Sequence, residues 1–150
     1  MRLEELCAFE WRYDEEDGRV PDGGFVLIRP YGGEEGSGYG EGAGTVTGRI
    51  KGRVVWSNHP HRRSDGRMMP DTHGLILTDD GARIVFELRG RTVFNEDRSR
   101  GGQTFVGSFE SDDDNYCWLN DVMCIAEGVI HPEPNVIEIR VYAGINELIQ

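Results

Sequence analysis

The chain has 150 residues, 21 of them glycine, and a formal net charge of −11. That length suits one domain, residues 1–150, around one buried core, and the glycine load suits short strands and tight turns better than long helices. The negative field repels phosphate backbones and anionic lipid headgroups, which argues against nucleic acid and membrane surfaces as partners.

In chain order, Glu4 to Tyr13 reads as a first strand closed by the turn residues Asp14-Glu15-Glu16-Asp17-Gly18. Gly24 to Pro30 reads as a second. Glycine crowds Tyr31 to Gly44, giving more backbone freedom than a helix or an ordinary strand tolerates, so a mobile loop or lid is expected there. From Val46 to Trp56 the alternation predicts one long strand, with Val46, Gly48, Ile50, Gly52, Val54 and Trp56 on one face and Thr47, Arg49, Lys51 and Arg53 on the other.

After a polar loop containing His59-Pro60-His61, Asp71 to Thr78 and Arg83 to Leu88 flank Asp79-Asp80-Gly81-Ala82 and read as a β-hairpin. Gln103 to Phe109, Tyr116 to Ala126 and Val136 to Tyr142 read as the remaining strands. No segment sustains a helical period. Sequential, hairpin-linked strands favour an all-β fold, a single closed antiparallel β-barrel of about eight strands, because closure removes exposed edges.

The N-terminal Met1-Arg2-Leu3-Glu4-Glu5-Leu6 turns acidic at once, and no apolar run approaches a membrane span, so a cytoplasmic location is expected. Cys7, Cys117 and Cys124 are odd in number and show no Cys-x-x-Cys spacing, which points to reduced thiols instead of a disulfide framework or structural zinc.

Three stretches together resemble one family: Gly48-Arg49-Ile50-Lys51-Gly52-Arg53-Val54; Asp71 followed by Thr78-Asp79-Asp80-Gly81-Ala82-Arg83-Ile84; and Tyr116-Cys117-Trp118-Leu119-Asn120 with Arg140-Val141-Tyr142. They are similar in order and spacing to domain of unknown function 3237. The resemblance implies a small closed barrel like that of allene oxide cyclase, with an interior able to receive a small apolar molecule, and it implies no particular reaction. The chain departs from that pattern at Trp56-Ser57-Asn58-His59-Pro60-His61 and at His73-Gly74, and both departures introduce histidine.

Asp71 and His73 lie two apart on an expected strand, on one face. A carboxylate that orients an imidazole in a sheltered cavity can move protons near neutral pH, so this pair, assisted by His61, is the candidate acid/base group. Trp56, His59, Trp118 and Asn120 are the candidate substrate contacts, the tryptophans by stacking and the amide by orienting a carbonyl. His59-Pro60-His61 lacks the spacing and the acidic partner of a metal motif, so neither metal nor other cofactor is expected. The basic row Arg49, Lys51 and Arg53 suits a solvated or subunit-contacting face, compatible with a homo-oligomer.

Two functions fit. One is a small-molecule-processing barrel enzyme, a cofactor-independent acid/base isomerase, cyclase or lyase acting on an apolar or aromatic metabolite. The other is a non-catalytic binding protein for a small apolar ligand. The placement of Asp71 and His73 relative to Trp118 and Asn120 separates them.

Overall fold

A computed structural model describes residues 1–16 and 19–149. Asp17 and Gly18, part of the expected first turn, lie outside the described residues.

The strands are β1 (Arg2–Tyr13), β2 (Phe25–Ile28), β3 (Gly36–Gly48), β4 (Gly52–Asn58), β5 (His61–Arg62) and β6 (Met68–Met69). They continue with β7 (Asp71–Thr78), β8 (Arg83–Phe94), β9 (Gly101–Glu110), β10 (Met123–His131) and β11 (Val136–Ile145). Eight of them close a ring in the order β1-β11-β10-β9-β8-β7-β4-β3, with β3 returning to β1, and every pairing is antiparallel. The all-β closed barrel expected from the sequence is therefore the observed fold. β2, β5 and β6 stand outside the ring and extend its rim, where β2 and β5 pair with β3 and β6 pairs with β8.

Alternation sends one side of each strand inward. Phe9, Trp11, Val54, Trp56, Ile76, Ile84, Phe86, Phe105, Phe109 and Ile139 are all buried and belong to one core cluster. Aromatic rings fill the middle: Trp11 stacks on Trp56 at 5.1 Å between centroids, and Phe86 lies 5.1 Å from Phe9 and 5.8 Å from Phe109. A barrel of eight strands is just wide enough for side chains to fill, and here they do.

Three sequence expectations are corrected. The glycine-crowded segment is a loop only over residues 31–35, and from Gly36 onward it is the long strand β3. Its glycines answer to close packing: a Cβ on Gly42 would meet the Arg12 carbonyl oxygen at 2.0 Å and the Trp56 ring at 2.6 Å. Val46 to Trp56 is a hairpin instead of one strand, turning at Arg49-Ile50-Lys51 after Gly48, whose φ of +110° excludes most side chains. The turn pairs Val46 with Gly52, so even-numbered residues stay inside on both arms and the alternation runs unbroken through it. Ile50 at its tip is fully buried. Last, Tyr116 to Ala126 divides into a 3₁₀ turn, Cys117–Asp121, and the start of β10, so parity along a strand does not relate Trp118 to Asn120.

Candidate functional site

The barrel is closed at one end and open at the other. At the closed end Ile50 and Leu119 are fully buried, and the Arg49 guanidinium lies 4.1 Å over the Trp118 ring. That contact takes Arg49 out of the expected basic row. Trp118 donates through Nε1 to the Asn115 carbonyl at 3.1 Å. Asn120 clamps the neighbouring segment, accepting from the Ser111 backbone N–H at 2.8 Å and donating to the Ser111 carbonyl at 2.9 Å. Both residues are thus engaged in capping the barrel end, and neither borders the space at the opposite end.

That space, about 320 Å³, lies at the open end, where β1, β4, β8 and β10 finish and β9 begins. Phe25, Leu27, Pro60, Met68, Phe94 and Ile130 give it apolar walls. Its size falls at the lower end of the range for small-molecule sites. Tyr13, Asn58, Thr92 and Gln103 supply the inner polar groups, while Glu15, Asp22, Arg62 and Arg98 ring the entrance.

Inward parity positions the inner set. Tyr13 follows Trp11 by two residues on β1, Asn58 follows Trp56 by two on β4, and Thr92 and Gln103 face each other across β8 and β9. The Tyr13 ring meets the Trp56 ring edge-on at 4.9 Å, which seats the phenol on the aromatic stack. Asn58 donates to the Tyr13 hydroxyl at 3.4 Å and accepts from the Asp71 backbone N–H at 3.1 Å. Burial raises the Tyr13 phenol above its usual range, against the smaller opposing pull of Asn58, so the hydroxyl is protonated at neutral pH and its hydrogen is available to an acceptor.

Gln103 donates from Nε2 to the Thr92 hydroxyl at 3.0 Å, yet among the described residues its Oε1 is buried without a partner. Trp11 Nε1 is also buried unpaired, but it lies within the aromatic stack. A buried acceptor left open costs roughly 1–3 kcal/mol, and because Gln103 lines the recess, turning its amide toward a ligand donor recovers that cost.

The sequence candidates fall elsewhere. Asp71 and His73 do form a pair, Oδ1 to Nε2 at 2.9 Å, and Arg89 Nε joins Asp71 at 3.1 Å. They sit on the outer wall of β7, exposed or half-exposed, while Thr72 between them points inward and is buried. The sheltered face expected for this pair is therefore the face of Thr72. His59 is also outside, its Nε2 3.0 Å from the Ser57 hydroxyl and its ring 5.3 Å from Tyr39 and 6.0 Å from His73. His61, on β5, lies 3.4 Å from Glu35 Oε1. Trp56 is inside as expected but serves as floor, donating from Nε1 to the Ala43 carbonyl at 3.2 Å. Among the described residues no three His, Cys, Asp or Glu side chains converge in a way that would hold a metal ion.

Tyr13, Asn58, Thr92 and Gln103 were not singled out from the sequence. Extending the alternation two residues past Trp11 and past Trp56 reaches Tyr13 and Asn58. Thr92 carries no such signal, because β8 runs beyond the alternating stretch that ends at Leu88.

An eight-stranded closed barrel, plugged at one end and carrying a small, mainly apolar recess at the other, is a recurrent class. The family model described as protein of unknown function (DUF3237) matches residues 40–143, and the chain belongs to that family. No curated protein matches it. A protein of unknown function from Clostridium acetobutylicum ATCC 824 is similar with a TM-score of 0.79 and 18% identity, covering 97% of this chain and 100% of that one. A β-barrel-like protein from Acinetobacter baumannii AYE has a TM-score of 0.77 and 20% identity, covering 95% and 94%. An enzyme from Penicillium herquei has a TM-score of 0.62 and 21% identity, covering 94% and 93%. These likenesses show the fold. No helix among the described residues is long and apolar enough to cross a membrane.

Proposed function

We propose that the recess at the open end binds a small apolar or aromatic metabolite bearing a hydroxyl or N–H and a carbonyl, and that the barrel turns it over by proton transfer. The observation that carries this reading is Gln103 Oε1, buried and unpartnered among the described residues, on a side chain that lines the recess. A ligand donor satisfies that oxygen as the Gln103 amide turns toward it. The proton leaving the carbon beside the ligand carbonyl passes to His131, which also lines the recess, and the protonated Tyr13 hydroxyl donates to the carbonyl oxygen and steadies the negative charge developing there, as a pre-aimed donor does for an enolate. Asn58 holds the phenol in place. Isomerisations, cyclisations and eliminations that begin with proton removal beside a carbonyl pass through such a charged oxygen. The likeness in fold to an enzyme from Penicillium herquei supports a catalytic reading over a purely storing one.

The carbonyl donor is assigned to Tyr13 and the proton acceptor to His131, both of which line the recess, and neither role to the Asp71–His73 pair or His61, which do not border it. The test is native mass spectrometry of the purified chain, followed by titration with a panel of small hydroxy-ketones and phenolic ketones in deuterated water. We expect one molecule bound per chain, with deuterium entering the carbon next to the carbonyl. Gln103→Leu should weaken binding about tenfold or more while the fold persists, and Tyr13→Phe should slow exchange about a hundredfold with binding largely kept. Binding insensitive to Gln103→Leu would exclude the recess as the site, and exchange unchanged in Tyr13→Phe would remove the phenol from the chemistry.

A further inference from the structure

The outer wall over β4, β7 and β8 carries an ordered pattern that the recess does not explain. Strand register aligns Ala43, Val55, Leu75 and Val85 in one row, and outward parity puts all four on the surface. Val55 and Val85 are 51% and 52% exposed. One row toward the closed end stand Thr45, Arg53, Leu77 and Arg83, and one row toward the open end stand Glu41, Ser57, His73 and Glu87. Among the described residues neither Arg53 nor Arg83 has an ion-pair partner, and Glu87 meets only Arg89, at 3.8 Å. An apolar row thus runs between a row whose charges are basic and one whose charges are acidic.

A surface of this kind is complementary to itself. A twofold axis lying along the apolar row carries the basic row of one copy over the acidic row of the other, and does so twice by symmetry. A twofold across the rows would instead oppose like charges. We propose that this wall is the interface of a homodimer whose axis runs along Val55, Leu75 and Val85, with Arg83 of each copy facing the partner's Glu87.

The curvature of the barrel fits that register. The wall of an eight-stranded ring turns by about 45° per strand, so contact centres on β7 and the flanks on β4 and β8 diverge. Short apolar side chains meet at the centre, and the long Arg83 and Glu87 side chains span the widening gap. Glu110, next along the apolar row on β9, is turned away by about a right angle, which keeps the two copies of that carboxylate apart. Three strands about 4.8 Å apart and three rows about 7 Å apart make a patch well below the usual interface size, so the dimer dissociates on dilution. This inference is independent of the ligand reading, because no residue in it borders the recess.

Sedimentation velocity of the full chain between about 1 and about 500 μM tests it, a span that covers weak, reversible association. The mass should rise from 16.9 kDa toward twice that value. Arg83→Glu and Glu87→Arg should each raise the dissociation constant at least about tenfold, because symmetry removes two pairs at once. The double exchange, carrying both, should return it to near the starting value, and Val55→Asp should leave a folded monomer. A chain monomeric over the whole range overturns the proposal. So does a dimer indifferent to Val55→Asp, or a double exchange that fails to recover association, since either means that another face or another register joins the copies.

Discussion

At the closed end of the barrel, Ile50 and Leu119 have no exposed surface and Trp118 is held between Arg49 and the Asn115 carbonyl. At the open end, Tyr13, Asn58, Thr92 and Gln103 surround about 320 Å³ of space, and one of their acceptors is left without a partner. Both ends terminate the same strands, so strand chemistry alone does not account for the contrast. The plugged end satisfies its polar groups internally: Asn120 serves both the N–H and the carbonyl of Ser111, and Tyr116 donates to Asp80. The open end is left incomplete, and that incompleteness is what qualifies it to receive a ligand. The plugged end closes its hydrogen bonds within the chain, and the open end leaves one for the ligand proposed there.

Alkali should break the contrast most strongly. Desolvation pushes the Cys7 thiol, near the closed end, from 9.0 up to about 12 and that of Cys124 up to about 11, and burial raises the Tyr13 phenol at the open end. Each is an acid whose folded value lies above its unfolded one. Its contribution is therefore complete below the unfolded value and is lost as pH rises toward the folded one. Stability measured by urea unfolding should fall from about pH 9 upward by as much as ~1.4 kcal/mol per pH unit for each titrating thiol. Cys7→Ala should flatten that fall, whereas Tyr13→Phe should alter only the part above about pH 10. An unchanged slope in Cys7→Ala would show that the thiol is not what titrates.

Leu119→Ala should be the next largest effect, costing about 3 kcal/mol, because Leu119 fills the plugged end and the surrounding strands cannot collapse onto the space it leaves. Loss of ligand binding should not accompany it below the unfolding transition, since the recess is at the other end. Asn120→Ala should cost about 1 kcal/mol, as water can replace an exposed amide that bridges one backbone N–H and one carbonyl. Both are read from denaturant midpoints at constant slope. An Asn120 variant that lost binding with stability kept would join the two ends in one site and end the comparison.

Much of the ring could be read from alternation alone. β7, β8 and β11 follow the period of two closely, and the acidic turns that separate strands mark their ends. The hairpin at Arg49-Ile50-Lys51 reads as one strand because the three-residue turn between Gly48 and Gly52 pairs Val46 with Gly52 and preserves parity, so the pattern of buried residues is the same in either case. The glycine-rich β3 passed for a loop because glycine signals backbone freedom in an isolated chain. Only the neighbours, the Arg12 carbonyl and the Trp56 ring above Gly42, turn that signal into a demand for close approach.

The site was less legible for a related reason. Asp71 and His73 do share a face and do pair, as their spacing requires, but spacing cannot say which face is inside. The buried Thr72 between them decides it. Trp118 and Asn120 drew attention as a large aromatic and an amide, and they proved to be parts of the plug.

What the sequence by itself determined is the all-β class, the closed antiparallel barrel of about eight strands and the family, because alternation, turn chemistry and motif order are local properties that survive without knowledge of neighbours. What only the tertiary structure decided is which end of the barrel is plugged, which face of β7 is outer, and which four polar groups meet across β1, β4, β8 and β9. Those are properties of closure: residues as far apart as Tyr13 and Gln103 become neighbours only when β3 returns to β1, and no local pattern encodes that meeting.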